Sequence, residues 1–249
     1  MKNAKMVSWL LAVILLLGCT VFPAAAEEER LPPPEIMERE DLNFPYLIFG
    51  SYEQDNNLEN GAEPIEWQVL DIKDGKALVI SKFGLDCKPY DNNKYGTDTW
   101  ETCSLRKWLN NKFFNNAFSS EEQKFVQSTE LENPDNLKYE TDGGNATKDK
   151  IFLFSIDEAG KYLSESSEGA CVPTAYAKEQ GAYSASNGNG WWWLRSPGAH
   201  QSYAARVAAN GIVQENGFVS CDIIVADSVS AGGGTVRPAM WVDLAAFEK

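Results

Sequence analysis

Apolar and polar residues alternate along several short stretches of this chain and recur at helical spacing in one longer stretch. Residues 46–52 (YLIFGSY) and 65–70 (IEWQVL) carry the period-two pattern of strands. Residues 77–81 (ALVIS) follow across Asp74-Gly75, a dipeptide suited to a tight hairpin turn. Between Ser104 and Phe118 the spacing of Leu105, Trp108, Leu109 and Phe113 predicts one buried helix face. Ser119 with Glu122, and Ser155 with Glu158, each fit a capping box and open two more short helices, and residues 173–180 supply a fourth. The polar segment 133–150, with Gly143-Gly144, reads as a long surface loop. Beyond it come short strands: 203–208 and 212–215 around the turn Asn210-Gly211, then a closing strand over 235–244 in which Pro238 marks an edge or a bulge. Helices near the middle with strands at both ends predict a single α+β domain.

The most informative block is Trp191-Trp192-Trp193-Leu194-Arg195-Ser196-Pro197-Gly198, with three adjacent aromatic rings at its start. On a strand, side chains alternate faces, so at least one Trp must face away from its neighbours. If Trp191 and Trp193 fill a core, Trp192 faces solvent, a loop or a ligand; the plainer reading makes all three packing residues. Arg195 and Arg237 fall among apolar residues and are expected to be structural ion pairs, with Asp222, Asp227 or Asp243 as partners.

The start of the chain bears on compartment. Lys2 and Lys5 precede an apolar run over 7–17, too short to span a bilayer, which predicts a signal peptide. Cleavage after Ala26 is favoured; a lipid anchor at Cys19 is the other exit. Residues 27–43 are expected to be an exposed linker and 44–249 the domain, secreted or at the cell surface. Lys2 and Lys5 are the only charged side chains before Glu27, so cleavage takes the net charge from −14 to −16. That charge disfavours nucleic acid and anionic lipid as partners. Cys87, Cys103, Cys171 and Cys221 follow, and an exported chain with four cysteines permits two disulfides. Proximity favours Cys87 with Cys103, leaving Cys171 with Cys221; four reduced thiols are the alternative.

The string FGSYEQ, PIEWQVLD, TWETCSLRKWLN, DKIFLFSIDEA, WWWLRSPG and TVRPAMW resembles a bacterial family of exported domains of unknown function. That family is similar to the C-type-lectin-like superfamily, which includes formylglycine-generating enzymes. The resemblance covers residues 44–244. It implies a C-type-lectin-like domain with short central helices, first and last strands paired (44–52 beside 236–244), and long irregular loops forming a binding face. The superfamily's functional residues do not carry over. The calcium-lectin triplets are missing, and Glu132-Asn133-Pro134-Asp135 is a Pro turn that only echoes them. The copper site of the formylglycine-generating enzymes needs two neighbouring cysteines, and only Cys221 lies near the matching region.

Catalytic sets are equally thin. His200 is the one histidine and sits in a loop, without a nucleophile elbow or a metal-ligand spacing around it. The chain is therefore expected to be a noncatalytic extracellular recognition module for a glycan or a protein, with no cofactor and no metal. A formylglycine-generating-enzyme-like copper oxidase relative and a structural envelope protein are the alternatives. The stretch 187–217 is rich in Asn, Ser, Gly, Tyr and Trp, which combines adaptable hydrogen bonding with rigid aromatic contact. It places the ligand face on Trp192, His200, Tyr203, Asn210, Asn216 and Phe218.

Overall fold

The computed structural model describes residues 32–38, 44–92, 99–218 and 233–244. The expected signal peptide, Cys19, Cys221, Asp222 and Asp227 lie outside them. No helix among the described residues is long and apolar enough to cross a membrane.

The chain opens with β1 (Tyr46–Tyr52), β2 (Glu63–Lys73), β3 (Lys76–Ser81) and the short β4 (Asp86–Cys87). The β2–β3 hairpin closes at Asp74-Gly75, both with positive φ (51° and 72°), as a two-residue turn that matches strand twist. Next come α1 (Ser104–Trp108), a π-helical turn (Leu109–Phe113) and α2 (Phe114–Ala117), one continuous helical run. Its widened turn is anchored to residues 150–151 through Asn110. Asn110 accepts from the N–H groups of Lys150 (2.8 Å) and Ile151 (3.2 Å) and donates to the carbonyls of Ile151 (2.8 Å) and Arg106 (3.2 Å). The strands β5 (Thr129–Leu131) and β6 (Thr147–Asp149) pair with each other, and α3 (Ile156–Tyr162), α4 (Ser166–Gly169) and α5 (Ala175–Glu179) follow. Both capping boxes form: Ser119 and Glu122 exchange hydrogen bonds, as do Ser155 and Glu158 at the start of α3.

The final third supplies β7 (Trp192–Pro197), β8 (Ala204–Val207), β9 (Val213–Phe218), β10 (Thr235–Val236) and β11 (Ala239–Asp243). One sheet runs β1-β2-β3-β11 and a second β4-β10-β7-β8-β9. The arrangement is mixed, mostly sheet with a few short helices, and it corrects the expected pairing of first and last strands. β1 and β11 share a sheet but stand at its opposite edges, with β2 and β3 between them. Both approach the segment around Phe125, whose ring meets Phe49 edge-on at 6.2 Å and whose carbonyl accepts from Asp243 N–H at 2.8 Å. The expected linker is also partly tied down, since Met37 and Tyr46 exchange backbone hydrogen bonds of 2.7 and 2.9 Å.

The single closing strand expected over 235–244 is two strands in two sheets, broken at Arg237-Pro238. Pro238 lacks an N–H for a ladder, and its carbonyl accepts from Ser81 N–H at 2.9 Å as the chain passes from one sheet to the other. The Asn210-Gly211 turn is a three-residue loop, with Ala208 N–H bonded to Ile212 O at 2.9 Å and Gly211 at φ 83°. A Cβ on Gly211 would also stand 1.7 Å from Ser166 O, so this turn seats directly on α4.

All three Trp residues of the block are buried. Trp191 and Trp193 meet edge-on at 4.7 Å on one side of β7, while Trp192 turns to the other side and donates to Gly169 O at 2.9 Å. The alternation is as read, but β7 is an inner strand covered on both faces, so neither face is wet. The 133–150 segment is only in part a surface loop: Asn133, Asn136, Thr141, Thr147 and Asp149 are buried, and Thr147–Asp149 form β6. Asp149 accepts from Trp100 Nε1 (2.9 Å), Thr147 Oγ1 (2.8 Å) and Arg106 Nε (2.7 Å).

Arg195 is buried, as expected, but its partner is Glu158, which it meets through both Nη1 and Nη2. Its remaining donors reach Asn133 Oδ1 (3.2 Å), Leu153 O (2.9 Å) and Glu132 O (3.1 Å), so all five guanidinium hydrogens are placed. Glu158 thereby serves a helix cap and a buried ion pair at once. The Cys87–Cys103 disulfide is not made; Cys87, Cys103 and Cys171 are free thiols. Cys103 is occupied as the cap of α1, its sulfur accepting from Arg106 N–H at 3.4 Å.

Three measurements check these points. Glu158→Ala should destabilise the domain by about 3–5 kcal/mol in urea titration, because it strands a buried guanidinium; Asp157→Ala, on the exposed side of α3, should stay within about 0.5 kcal/mol. Non-reducing peptide mapping should recover Cys87 and Cys103 on separate peptides, and iodoacetamide should label the buried Cys103 and Cys171 only after unfolding.

Candidate ligand-binding face

The structure divides the six residues expected to form one face. Trp192 is 0% exposed and cannot be an anchor for a ligand, which corrects that assignment. His200, Tyr203 and Asn216 do come together. The imidazole of His200 is exposed and stands edge-on to the Tyr203 ring at 4.9 Å, while Ala199 N–H donates to Asn216 O at 2.8 Å. Asn210 lies at the other end of β8, in the turn seated on α4. Phe218 ends β9 opposite Ala204, and its side chain lies outside the described residues.

The His200 end is larger than the sequence indicates, because residues 134–144 fold onto it. Asn136 Nδ2 donates to Pro197 O (3.0 Å) and Glu215 O (3.1 Å), and Thr141 Oγ1 donates to Gly198 O (2.8 Å). Asp142 and Gln201 exchange two hydrogen bonds, Asp142 N–H to Oε1 at 2.9 Å and Nε2 to Asp142 O at 2.7 Å. These contacts fix the backbone of two loops, 134–144 and 197–203, and of β9 at 215–217 against one another. On that base Leu137 is 86% exposed. Beside it opens a cleft of about 380 Å³ lined by Asn136, Lys138, Ile156, Ser196 and Glu215 among others. Lys138 and Glu215 pair at 3.0 Å across its rim. Leu137, Asp142 and Gln201 were missed from sequence; the available signal was one leucine isolated in an otherwise polar stretch.

This end of the molecule offers contact chemistry. Among the described residues His200 has no carboxylate or nucleophile hydrogen-bonded to it. Burial, the leading cause, pushes the thiols of Cys87 and Cys103 up to about 12, so both stay protonated at neutral pH. Burial raises Cys171 as well. A copper pair of the formylglycine-generating type would need Cys171 beside Cys221, which lies outside the described residues.

A separate carboxylate cluster, Glu53, Asp55 and Glu63, holds oxygens within 4.8 Å of one another, the hard donors a calcium ion takes. Most of those oxygens already serve the loop itself. Glu63 Oε2 accepts from Gln54 N–H (2.6 Å) and Asp55 N–H (3.2 Å), and Asp55 accepts from Asn57 N–H (2.7 Å) and Asn60 Nδ2 (2.8 Å). Desolvation first and the Glu63 charge second raise the Glu53 carboxyl, while the bonds from Asn60 and Asn57 lower Asp55. The cluster is thus a turn held by acids.

Arg237 is also buried, but not in the ion pair expected of it: among the described residues it meets no carboxylate. Its Nε donates to Ser81 O (3.0 Å), Nη1 to Glu168 O (3.3 Å) and Gly169 O (3.5 Å), and Nη2 to Gln68 Oε1 (3.4 Å). Its guanidinium lies over the Trp192 ring at 5.1 Å.

No curated protein and no solved structure matches this chain. Residues 74–244, which run from the β2–β3 turn through both sheets to the end of β11, match the model of one family, and on that match the chain belongs to the domain of unknown function DUF6273.

Proposed function

We propose that this domain is a noncatalytic recognition module acting outside the cell, and that it binds a protein or glycan through the end of the molecule formed by loops 134–144 and 197–203 and by β9. The observation that carries the reading is Leu137, 86% exposed on a loop whose neighbours Asn136 and Thr141 are buried and hydrogen-bonded across the chain. A leucine held in water by a fixed backbone exposes apolar area that a partner can cover without a large ordering cost. His200 and Tyr203 add a rigid aromatic pair, and Asp142, Gln201 and the Lys138–Glu215 pair give a polar rim. Leu137 favours a protein over a glycan as the ligand. Export, with release after Ala26 or anchoring at Cys19, and kinship with C-type-lectin-like domains belong to the same proposal and rest on the sequence motifs.

Screening a panel of surface proteins and a glycan array supplies the ligand for the test. Leu137→Asp and Tyr203→Ala should then each weaken binding by about 2 kcal/mol, with melting temperature nearly unchanged. Wild-type affinity in both variants would move the face elsewhere.

A further inference from the structure

Arg237 is 2% exposed and meets no carboxylate among the described residues, which is unusual for so deeply buried a charge. Four hydrogen bonds, three of them 3.3 Å or longer, leave one Nη2 hydrogen without an acceptor there. Beside it Gln68 is 6% exposed and uses only its carbonyl oxygen; its Nε2 group has no acceptor among the described residues. Both side chains line a cleft of about 530 Å³, together with Lys82, Phe83, Phe44 and Ser167. Arg237 Nη2 and Gln68 Nε2 thus each carry a hydrogen without a protein acceptor among the described residues beside one cavity; Arg237 is buried, while Gln68 Nε2 reaches the solvent of the cleft.

We infer that this cleft is a binding site for the carboxylate of an acidic saccharide, with the carboxylate on Arg237 Nη2 and Gln68 Nε2. A carboxylate supplies the counter-charge the guanidinium lacks and accepts from both groups at once. The sugar's hydroxyls suit the rim, where Ser167, Glu165 and Glu168 are exposed and Lys82 pairs with Glu66 at 2.6 Å. Its C–H face suits Phe83 and Phe44. Glu165 and Glu168 oppose an anion, but they stand in solvent where screening weakens them, whereas the Arg237 contact is made in a desolvated floor. This site is distinct from the face around Leu137 and His200 and does not depend on it.

Calorimetric titration and thermal melting with D-glucuronate, its methyl ester and D-glucose test the assignment on the purified protein. Glucuronate should bind and raise the melting temperature, and the two neutral sugars should bind about tenfold more weakly or less. Gln68→Glu places a carboxylate beside Arg237 and should abolish binding while raising the melting temperature of the unliganded protein. Ser167→Trp, a change on the exposed side of α4, should block the cleft without disturbing the floor and also abolish binding. Equal response to glucuronate and glucose, or retained affinity in Ser167→Trp, would overturn the site. Tighter binding of an acetylated peptide through its terminal carboxylate would overturn the saccharide assignment. Leu137→Asp should bind glucuronate as the wild type does, which separates this site from the recognition face.

Discussion

A buried cation sits where the chain crosses between the two sheets of this domain. Between β10 and β11 the chain leaves one sheet for the other, and the residue at the crossing is Arg237. Its guanidinium touches β3 through Ser81 O, β2 through Gln68, the end of α4 through Glu168 O and Gly169 O, and β7 through the face of Trp192. Removing such a charge from water is costly, and carbonyl dipoles with an aromatic face offset it only in part. What the arrangement gives in return is position. Gly169 O accepts from both Trp192 Nε1 and Arg237 Nη1, so α4, the inner strand β7 and the crossing are fixed relative to one another by one carbonyl.

The same device, a buried charge spread over backbone groups from distant segments, recurs at the other end of β7. Arg195 and Glu158 bind α3, β7 and residues 132–133 together, with every guanidinium hydrogen placed. Asp149 gathers Trp100, Arg106 and Thr147; Asp86 gathers Tyr52 OH (2.6 Å), Cys87 N–H (2.6 Å) and Lys88 (2.9 Å). Burial, reinforced by that carboxylate, holds the Tyr52 hydroxyl protonated far above its usual range. With many short strands and few long helices, much of the irregular chain must find partners away from regular ladders, and these side chains provide them.

Legibility in the sequence followed the range of the interaction. The Asp74-Gly75 turn and the Ser155–Glu158 capping box are decided within four residues, and both were readable directly. The 133–150 segment is only in part the surface loop its polarity suggests, because several of its polar residues are satisfied at long range: Asn136 bonds carbonyls 61 and 79 residues away. A buried asparagine and a solvated one look the same in one sequence. Trp192 failed for a related reason, since alternation separates the faces of a strand but cannot say that both are covered. The pairing of terminal strands came from family resemblance alone, and the register of β3 with β11 overrides it. Of the candidate face, His200, Tyr203 and Asn216 were legible because their loops are contiguous in sequence; Leu137 reaches them only through the tertiary fold.

The contrast between the two buried arginines bears on function as much as on stability. Arg195 is a closed network: its partner carboxylate is also fixed by a helix cap, so nothing is left for a ligand to complete. Arg237 is open on the side of the Gln68 cleft, and its desolvation is offset by dipoles without a counter-charge. Because any anion that fills that place binds the folded state and not the unfolded chain, its binding free energy adds to the stability of the sheet junction. An anion held there would couple occupancy of the cavity to rigidity of the scaffold through one side chain at the crossing from β10 to β11. The face around Leu137 and His200 lacks that coupling, since its exposed groups stand on a backbone already satisfied by Asn136, Thr141 and Gln201.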